Sequence, residues 1–145
     1  MLGYCAYFDP DPASDRFFTI TFPDMDWGVS QGENEEDGRA MALDLLRTMI
    51  REHIRKGEDI PRPRVRRGAR YRLIALPALE AAKVELYRVF RASGIHKAEL
   101  ARRMGIPKTT VDRLFDLKHH SRLDQIEAGF AVLGKELSIE VRDAA

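Results

Sequence analysis

The chain has little of several features that would mark particular classes of protein. Its 145 residues include a single cysteine, Cys5, which excludes an intramolecular disulfide and every zinc site built from several cysteines. No apolar run approaches the roughly 18 to 20 residues that cross a bilayer, so no membrane-spanning helix is expected. The first residues lack the basic region of a secretory signal. These absences predict a protein of the reducing cytoplasm.

Net charge is also small, but the charges are unevenly distributed. The 24 Lys and Arg against 23 Asp and Glu leave a formal charge of +1. Residues 1–60 carry 13 acids and six bases, a charge of −7, whereas residues 61–145 carry 18 bases and 10 acids, a charge of +8. This asymmetry favours two partners of opposite sign, with nucleic acid the candidate for the basic half. The alternative is an ordinary solvated surface.

Short runs of aromatic and β-branched residues predict four strands in the first 77 residues. The runs are residues 4–8, 17–22, 27–31 and 71–76. Turn-forming residues at 9–15 separate the first two runs. Because three antiparallel strands with one covering helix are about the minimum for independent stability, residues 1–77 are expected to form a small α+β domain.

One long helix is predicted between the third and fourth strands, over residues 34–56. Asn34 can cap its start, and Gly57 can end its last turn. Acids at the start and bases at the end match the helix dipole, and apolar side chains recur at helical spacing. The segment that follows holds six arginines within residues 62–72. It either contacts DNA or is a solvated loop.

The most specific pattern lies at residues 97–114, where the residue types of a helix-turn-helix occur at the required offsets. Ala101 is small where the second helix crosses the first, and Gly105 suits the turn because a positive φ costs glycine little. Pro107 suits the first position of the second helix. The pattern predicts a helix that enters a DNA major groove, within an all-α domain of residues 78–145. The alternative is an ordinary helical hairpin.

The predicted DNA contacts follow from side-chain chemistry. Lys and Arg suit guanine, threonine offers a hydroxyl and a methyl group, and cations beside the two helices can reach phosphates. The residues offered to the major groove are Lys108, Thr109, Thr110, Asp112 and Arg113. The residues expected at phosphates are Lys97, Lys118, His119, His120, Ser121 and Arg122. The adjacent histidines lack the acidic or cysteine partners of a metal site, so no metal and no other cofactor is expected.

The last residues suggest contact with a second chain. A third helix is predicted from Leu123 to Gly134, after which Leu137, Ile139 and Val141 alternate with polar residues, as in a strand. A lone strand at a terminus needs a partner, and the same strand of another copy would supply one. We therefore expect a homodimer through this region, while the sequence leaves open whether dimers pair into tetramers.

Several short motifs also occur in a characteristic order along nearly the whole chain. In the first half they are Phe22-Pro23-Asp24, Gln31-Gly32-Glu33 and Ile60-Pro61-Arg62-Pro63. In the second half they are residues 99–105, Pro107-Lys108, Arg113-Leu114-Phe115, His119-His120 and residues 133–138. Together they resemble the HicB family, the antitoxins of HicAB toxin–antitoxin systems, in the version with a C-terminal helix-turn-helix.

This resemblance implies a function for each half. The first domain would have a partial ribonuclease-H-like fold and would bind and block HicA, a small basic RNA-cleaving toxin. The second domain would repress the operon as a dimer bound to double-stranded operator DNA. Opposite charges speed encounter, so charge and exposure suggest toxin-binding candidates in the acidic half. They are Asp24, Asp26, Trp27, Glu35, Glu36 and Asp37.

Two other functions stay open at this point. A ribonuclease-H-type enzyme holds two Mg²⁺ ions with several carboxylates, for which the candidates are Asp9, Asp11, Asp24 and Glu33. Metal ligands need rigid elements, whereas the first two lie among prolines in a loop, so we expect no enzyme. A plain repressor that senses a small ligand is the other function, although the first domain is small for a deep pocket.

Overall fold

The computed structural model describes residues 2–14 and 17–144, which form two compact units that divide between Ala81 and Ala82. The first unit holds four strands and a long helix, and the second is helical. The fold class is therefore α+β, as the sequence predicts. Within the described ranges, no helix combines the length and the apolar character needed to cross a membrane.

The first unit is built on an antiparallel sheet. Its strands are β1 (Gly3–Pro10), β2 (Phe18–Thr21), β3 (Ser30–Gly32) and β4 (Tyr71–Ala75). They lie in the order β3-β2-β1-β4, with every neighbouring pair antiparallel. In the register, Phe8 of β1 lies opposite Ile20 of β2, and Tyr4 of β1 lies opposite Ile74 of β4.

The strand bounds differ in detail from the sequence prediction. Asp9 and Pro10, which were expected in the loop, belong to β1 and pair with β2, and β2 is shorter than the predicted run 17–22. The third strand begins at Ser30 rather than at residue 27, because Gly28 has a φ of 95° and this left-handed conformation interrupts an extended strand. The fourth strand ends at Ala75, one residue before the predicted end. Asp15, at the end of the predicted turn region, lies outside the described residues.

The long helix α1 (Glu35–Lys56) has both of the predicted caps. The Asn34 side chain accepts a hydrogen bond from the Asp37 N–H at 2.8 Å. Gly57 ends the helix with a φ of 68°, and its N–H donates to carbonyl groups of the last turn. The buried face of α1 lies against the sheet, where it packs on β2, β3 and β4, and its Gly38 lies beside the Phe8 ring of β1.

The second unit packs short helices around one apolar core. They are α2 (Ala78–Ser93), whose first turn belongs to the first unit, α3 (Lys97–Met104), α4 (Lys108–Leu114) and α5 (Leu123–Val132). Phe115 packs against Tyr87 and Phe90, with ring centroids 5.5 and 5.0 Å away. Because the backbone of Pro107 is extended, with ψ of 150°, the proline occupies the N-cap position just before α4 and not the predicted first helical position.

The described chain after α5 forms neither helix nor strand, and most of its residues are exposed. The predicted third helix ends at Val132, and Gly134 then adopts a φ of 73°. The strand predicted over residues 137–141 is not formed in the single chain. The described part of the second unit contains no other strand with which this segment could pair.

Candidate functional site

The first candidate site is the exposed face of α4. Lys108, Thr109, Asp112 and Arg113 are exposed, whereas Val111 and Leu114 are fully buried. This alternation follows helical spacing, so the four exposed residues share the face away from the core. Thr110 is half-buried between the two faces. Most of the residues predicted for the major groove therefore lie together on one surface.

The turn between α3 and α4 has the geometry that its sequence predicts. Gly105 has a φ of 67°, and the Ile106 N–H donates to the Ala101 carbonyl at 3.1 Å, which closes α3 with a paired C-terminal cap. The Ala101 side chain is buried. A small residue at this point lets the two helices approach closely, which fixes the orientation of α4 on the core.

Two of the predicted DNA-contacting residues bind each other. Lys97 Nζ, at the start of α3, lies 2.8 Å from the Asp112 carboxylate on α4. This ion pair joins the two helices, and each charge reduces the field of the other. Sequence reasoning assigned the two residues separate contacts, whereas the structure brings them together.

The segment after α4, residues 115–122, is held from inside by a buried lysine. Lys83 of α2 is fully buried. Its Nζ donates hydrogen bonds to three backbone carbonyl oxygens, those of Arg113 at 2.9 Å, Asp116 at 2.7 Å and His119 at 2.7 Å. Carbonyl groups at a helix C-terminus lack partners in the helix and carry partial negative charge. Lys83 therefore fixes the path of the segment that carries Lys118, His119 and His120.

Sequence reasoning missed Lys83, although a signal was present. Residues 83, 86, 87 and 90 follow helical spacing, and the other three are apolar or aromatic side chains of the core. A lysine in that position had to be buried with partners. Ser121, predicted at a phosphate, is also buried, and its hydroxyl donates to the Arg113 carbonyl at 3.3 Å.

The charge around α3 and α4 is positive but partly compensated. Residues 97–122 carry seven Lys and Arg against three acids. Two hydrogen bonds, the larger effect from Arg102 and the smaller from Arg103, lower the pKa of the Glu99 carboxyl from 4.5 to about 2. The Arg122 guanidinium pairs with the Asp124 carboxylate at 2.7 Å. By contrast, the part of the chain that the structure describes offers no ion-pair partner to three exposed cations. These are Lys108, Arg113 and Lys118.

Of the six toxin-binding candidates in the first unit, half are occupied internally. The Asp24 side chain is only 4% exposed and binds the Arg66 guanidinium at 3.0 Å. Glu35 binds Arg72 at 2.7 Å, and the hydrogen bond from Arg72 is the largest cause that lowers the pKa of its carboxyl. The Asp37 carboxylate accepts the Glu33 N–H at 2.9 Å, at the start of α1.

The other three candidates, Asp26, Trp27 and Glu36, are exposed but do not form one cluster. Gly28 lies against Leu45 and Met49 of α1. Glu36, in the first turn, is nine residues from Leu45, or about 14 Å along the helix. Asp26 and Trp27 therefore lie near the middle of α1, whereas Glu36 lies at its start.

An exposed apolar strip follows the line where β3 meets α1. Gly28 lies beside Leu45 of α1, and Gly32 lies beside Gly38 of α1. Residues 28–32 therefore run along the helix toward its start. Three exposed apolar side chains belong to this line, and Trp27 is the largest of them, 43% exposed. We call Trp27, Val29 and Met41 the β3–α1 seam. β3 is also an edge strand of the sheet.

The arginine-rich segment belongs to the first unit, which changes the charge argument. Residues 1–81 carry 14 acids and 12 bases, or −2, and residues 82–145 carry 12 bases and nine acids, or +3. The charge of −7 expected for the first domain is thus wrong, because the sequence boundary at residue 60 falls inside a folded unit. Arg70 pairs with Asp9 at 3.2 Å, as Arg66 and Arg72 pair with their acids.

The carboxylates considered for a two-metal enzyme are not arranged for one. Asp9 and Asp24 each bind an arginine, and the Asp11 carboxylate accepts the Ala13 N–H at 2.9 Å. Across residues 2–14 and 17–144, no three His, Cys, Asp or Glu side chains group in a way that could hold a metal ion. The four acids named for the nuclease alternative therefore do not form its ligand set.

Comparison with known proteins identifies the class of this chain. Residues 3–85 match the protein family described as HicB_like antitoxin of bacterial toxin-antitoxin system. Antitoxin HicB of Escherichia coli K12 is 34% identical over 128 residues, which cover 88% of this chain and 92% of that protein. Antitoxin HicB of Pseudomonas fluorescens Pf0-1 is 31% identical over 144 residues, which cover 99% and 97%. The class is that of antitoxins of bacterial toxin–antitoxin systems.

Antitoxin HicB 1 of Photorhabdus laumondii is 31% identical over 131 residues, which cover 90% of this chain and 83% of that protein. The likeness to these proteins thus extends beyond the matched residues 3–85 into the helical unit. The chain belongs to the HicB-like antitoxin family, and the resemblance seen in the sequence is confirmed.

Proposed function

We propose that this protein neutralises a HicA-type, mRNA-cleaving toxin with its first unit and represses its own operon by binding operator DNA with its second. Family membership is the observation that carries the proposal. In this proposal the first unit is a partial ribonuclease-H-like domain, and α3 and α4 are a helix-turn-helix. The protein acts in the cytoplasm as a homodimer and is not an enzyme.

The exposed face of α4 supports the DNA-binding half of the proposal. Lys108 and Thr109 lie at the amino end of the helix, which is the part of a recognition helix that reaches base edges. Lys118 and His120 follow the helix on the segment that Lys83 fixes, where they can bind phosphates. Each neutralised phosphate releases counterions, so affinity should fall with salt at a slope near −0.9 per contact.

Replacing Lys108 with alanine should relax the base preference at one position of each half-site, at a cost of about 1–3 kcal/mol. The matched control is Lys118→Ala, which should weaken binding to all sequences evenly and reduce the salt slope by about one. Fluorescence anisotropy with the operator and its single-base variants, at several salt concentrations, measures both effects. An even loss in Lys108→Ala would assign that side chain to a phosphate instead.

The β3–α1 seam supports the toxin-binding half of the proposal. Aromatic side chains that are partly exposed on a free protein, with nearby charges at the rim, are typical centres of protein interfaces. Trp27 has this position, and the exposed acids Asp26 and Glu36 lie beside or beyond it along α1. A toxin that binds RNA carries a basic surface, which these acids would complement.

Replacing Trp27 with alanine should weaken the complex with the toxin at least tenfold, because an aromatic side chain at an interface centre contributes about 2 kcal/mol or more. Leu73→Ala is the matched control, since Leu73 is also apolar and exposed in the first unit but lies on β4, at the opposite edge of the sheet from β3. Titration calorimetry with the product of the neighbouring gene measures the effect. Equal affinities for the two variants would place the toxin on another surface.

The proposal as a whole is tested with the unaltered chain. Co-expression with the neighbouring gene product, followed by purification, should yield a complex, and a gel shift with the upstream promoter should show binding. DNA binding without a companion protein would favour the ligand-sensing repressor instead. A blank gel shift together with no companion protein would contradict both halves.

A further inference from the structure

We propose that residues 135–143 pair with the same residues of a second chain as a two-fold antiparallel ribbon centred on Ile139. The inference rests on the proposed homodimer and adds its register and its contacts. In the single chain this segment forms neither helix nor strand, with Ile139 71% and Val141 91% exposed and Leu137 half-buried. The Arg142 guanidinium lies 2.8 Å from the Glu140 carboxylate. In a strand these two side chains would share a face, because alternate side chains point to the same side.

The sequence of this segment is complementary to its own reverse. Antiparallel pairing centred on Ile139 places Leu137 opposite the partner's Val141, and residues directly opposite each other share a face of the ribbon. On the next pair outward, Glu136 lies opposite the partner's Arg142. On the pair beyond, Lys135 lies opposite the partner's Asp143. By symmetry each of these pairs occurs twice. With the Ile139 pair at the centre, the ribbon therefore has three apolar pairs, and four pairs of opposite charge flank them.

Neighbouring registers lack this complementarity. Pairing centred on Ser138 places Glu136 opposite the partner's Glu140, and pairing centred on Glu140 places that carboxylate opposite its own copy. Like charges directly opposite each other are destabilising. If the two-fold axis falls between two residues, each apolar side chain lies opposite a polar one. The apolar side chains of the two strands are then on opposite faces of the ribbon. Parallel pairing in register would oppose each charged residue to itself. Only the register centred on Ile139 satisfies both charge and face.

Single cysteines introduced along the full-length chain read the register directly. In a Cys5→Ala background, Ile139→Cys should form a disulfide-linked dimer under mild oxidation. The two Cα atoms at the two-fold axis would be about 4.5–5.5 Å apart, which is within disulfide range. Leu137→Cys should not cross-link, because its two copies would lie about 13 Å apart along the strands. The double variant Leu137→Cys with Val141→Cys should cross-link again.

Each other outcome of the cysteine scan overturns the register. Preferential cross-linking at residue 138 or 140 would move the centre, equal cross-linking at all positions would indicate parallel strands, and no cross-linking would exclude the ribbon. Sedimentation equilibrium of the unaltered chain separates this inference from the homodimer itself. A dimeric mass without cross-links places the dimer interface elsewhere, whereas a monomeric mass contradicts both.

Charge exchange supplies an independent test. Glu136→Arg should raise the dimer dissociation constant about tenfold, because it converts two attractive pairs into repulsive ones. Adding Arg142→Glu should restore the constant to within about threefold of the original. Glu127→Arg is the control, since Glu127 is exposed on α5 outside the ribbon and its reversal should change nothing. If the double variant is no tighter than the single one, the two residues are not opposite each other.

Discussion

Replacing Lys83 with methionine should lower the free energy of unfolding of the second unit by about 2–4 kcal/mol and weaken operator binding. Methionine keeps most of the volume of the side chain but leaves three carbonyl groups without their charged donor. A hydrogen bond to a charged group contributes about 1.5–3 kcal/mol, and three that share one donor do not add fully. Residues 115–122 would lose their fixed path, and with it the proposed phosphate contacts.

Arg103→Met is the matched control, because it removes one positive charge from an exposed side chain of the same unit. Its free energy of unfolding should change by no more than about 0.5 kcal/mol. Urea unfolding followed by circular dichroism measures stability, and anisotropy at several salt concentrations measures DNA binding. Below its melting temperature, Lys83→Met should still show a shallower salt slope, since fewer phosphates are contacted. A folded Lys83→Met with the original affinity and slope would contradict the role given to Lys83.

The elements that the sequence predicts best are those specified by local signals. The caps of α1 lie within a few residues of the helix ends that they fix, and both are present in the structure. The turn at Gly105 likewise depends on one residue with a positive φ. Runs of aromatic and β-branched residues also identified all four strands, because these side chains fit a pleated, half-buried surface.

The features that the sequence did not predict depend on contacts between distant residues. Asp24 was a candidate for the toxin site because it is acidic, yet it binds Arg66, 42 residues away. Sequence reasoning passed over Lys83 because lysine is almost never fully buried without partners. Its partners are backbone carbonyl groups. Every residue has one, so the sequence gives no signal of which of them will bind a buried lysine. The division of charge at residue 60 was wrong for the same reason. The arginine-rich segment leads into β4, which pairs with β1, so its positive charge belongs to the same unit as the acids of residues 1–60.

Replacing Gly32 with alanine should have the opposite functional outcome to Lys83→Met, with toxin binding lost and DNA binding retained. β3 and α1 approach each other through two glycines. A Cβ on Gly32 would overlap the Gly38 backbone, with its nitrogen only 2.8 Å away, and a Cβ on Gly38 would lie 2.8 Å from the Phe8 ring. The helix would have to move off the sheet, which would open the core and displace the β3–α1 seam. Overpacking of this kind costs about 3 kcal/mol or more when backbone must shift.

Gly57→Ala separates this overlap from the ordinary cost of losing a glycine. Gly57 has a φ of 68° and open space around it, so alanine there should cost only about 1 kcal/mol. Trp27 is the single tryptophan of the chain, and its fluorescence during urea unfolding therefore reports the first unit alone. Calorimetry with the toxin should show binding by Gly57→Ala and none by Gly32→Ala. If the two variants unfold at the same urea concentration, the close approach of β3 and α1 does not limit the stability of this unit.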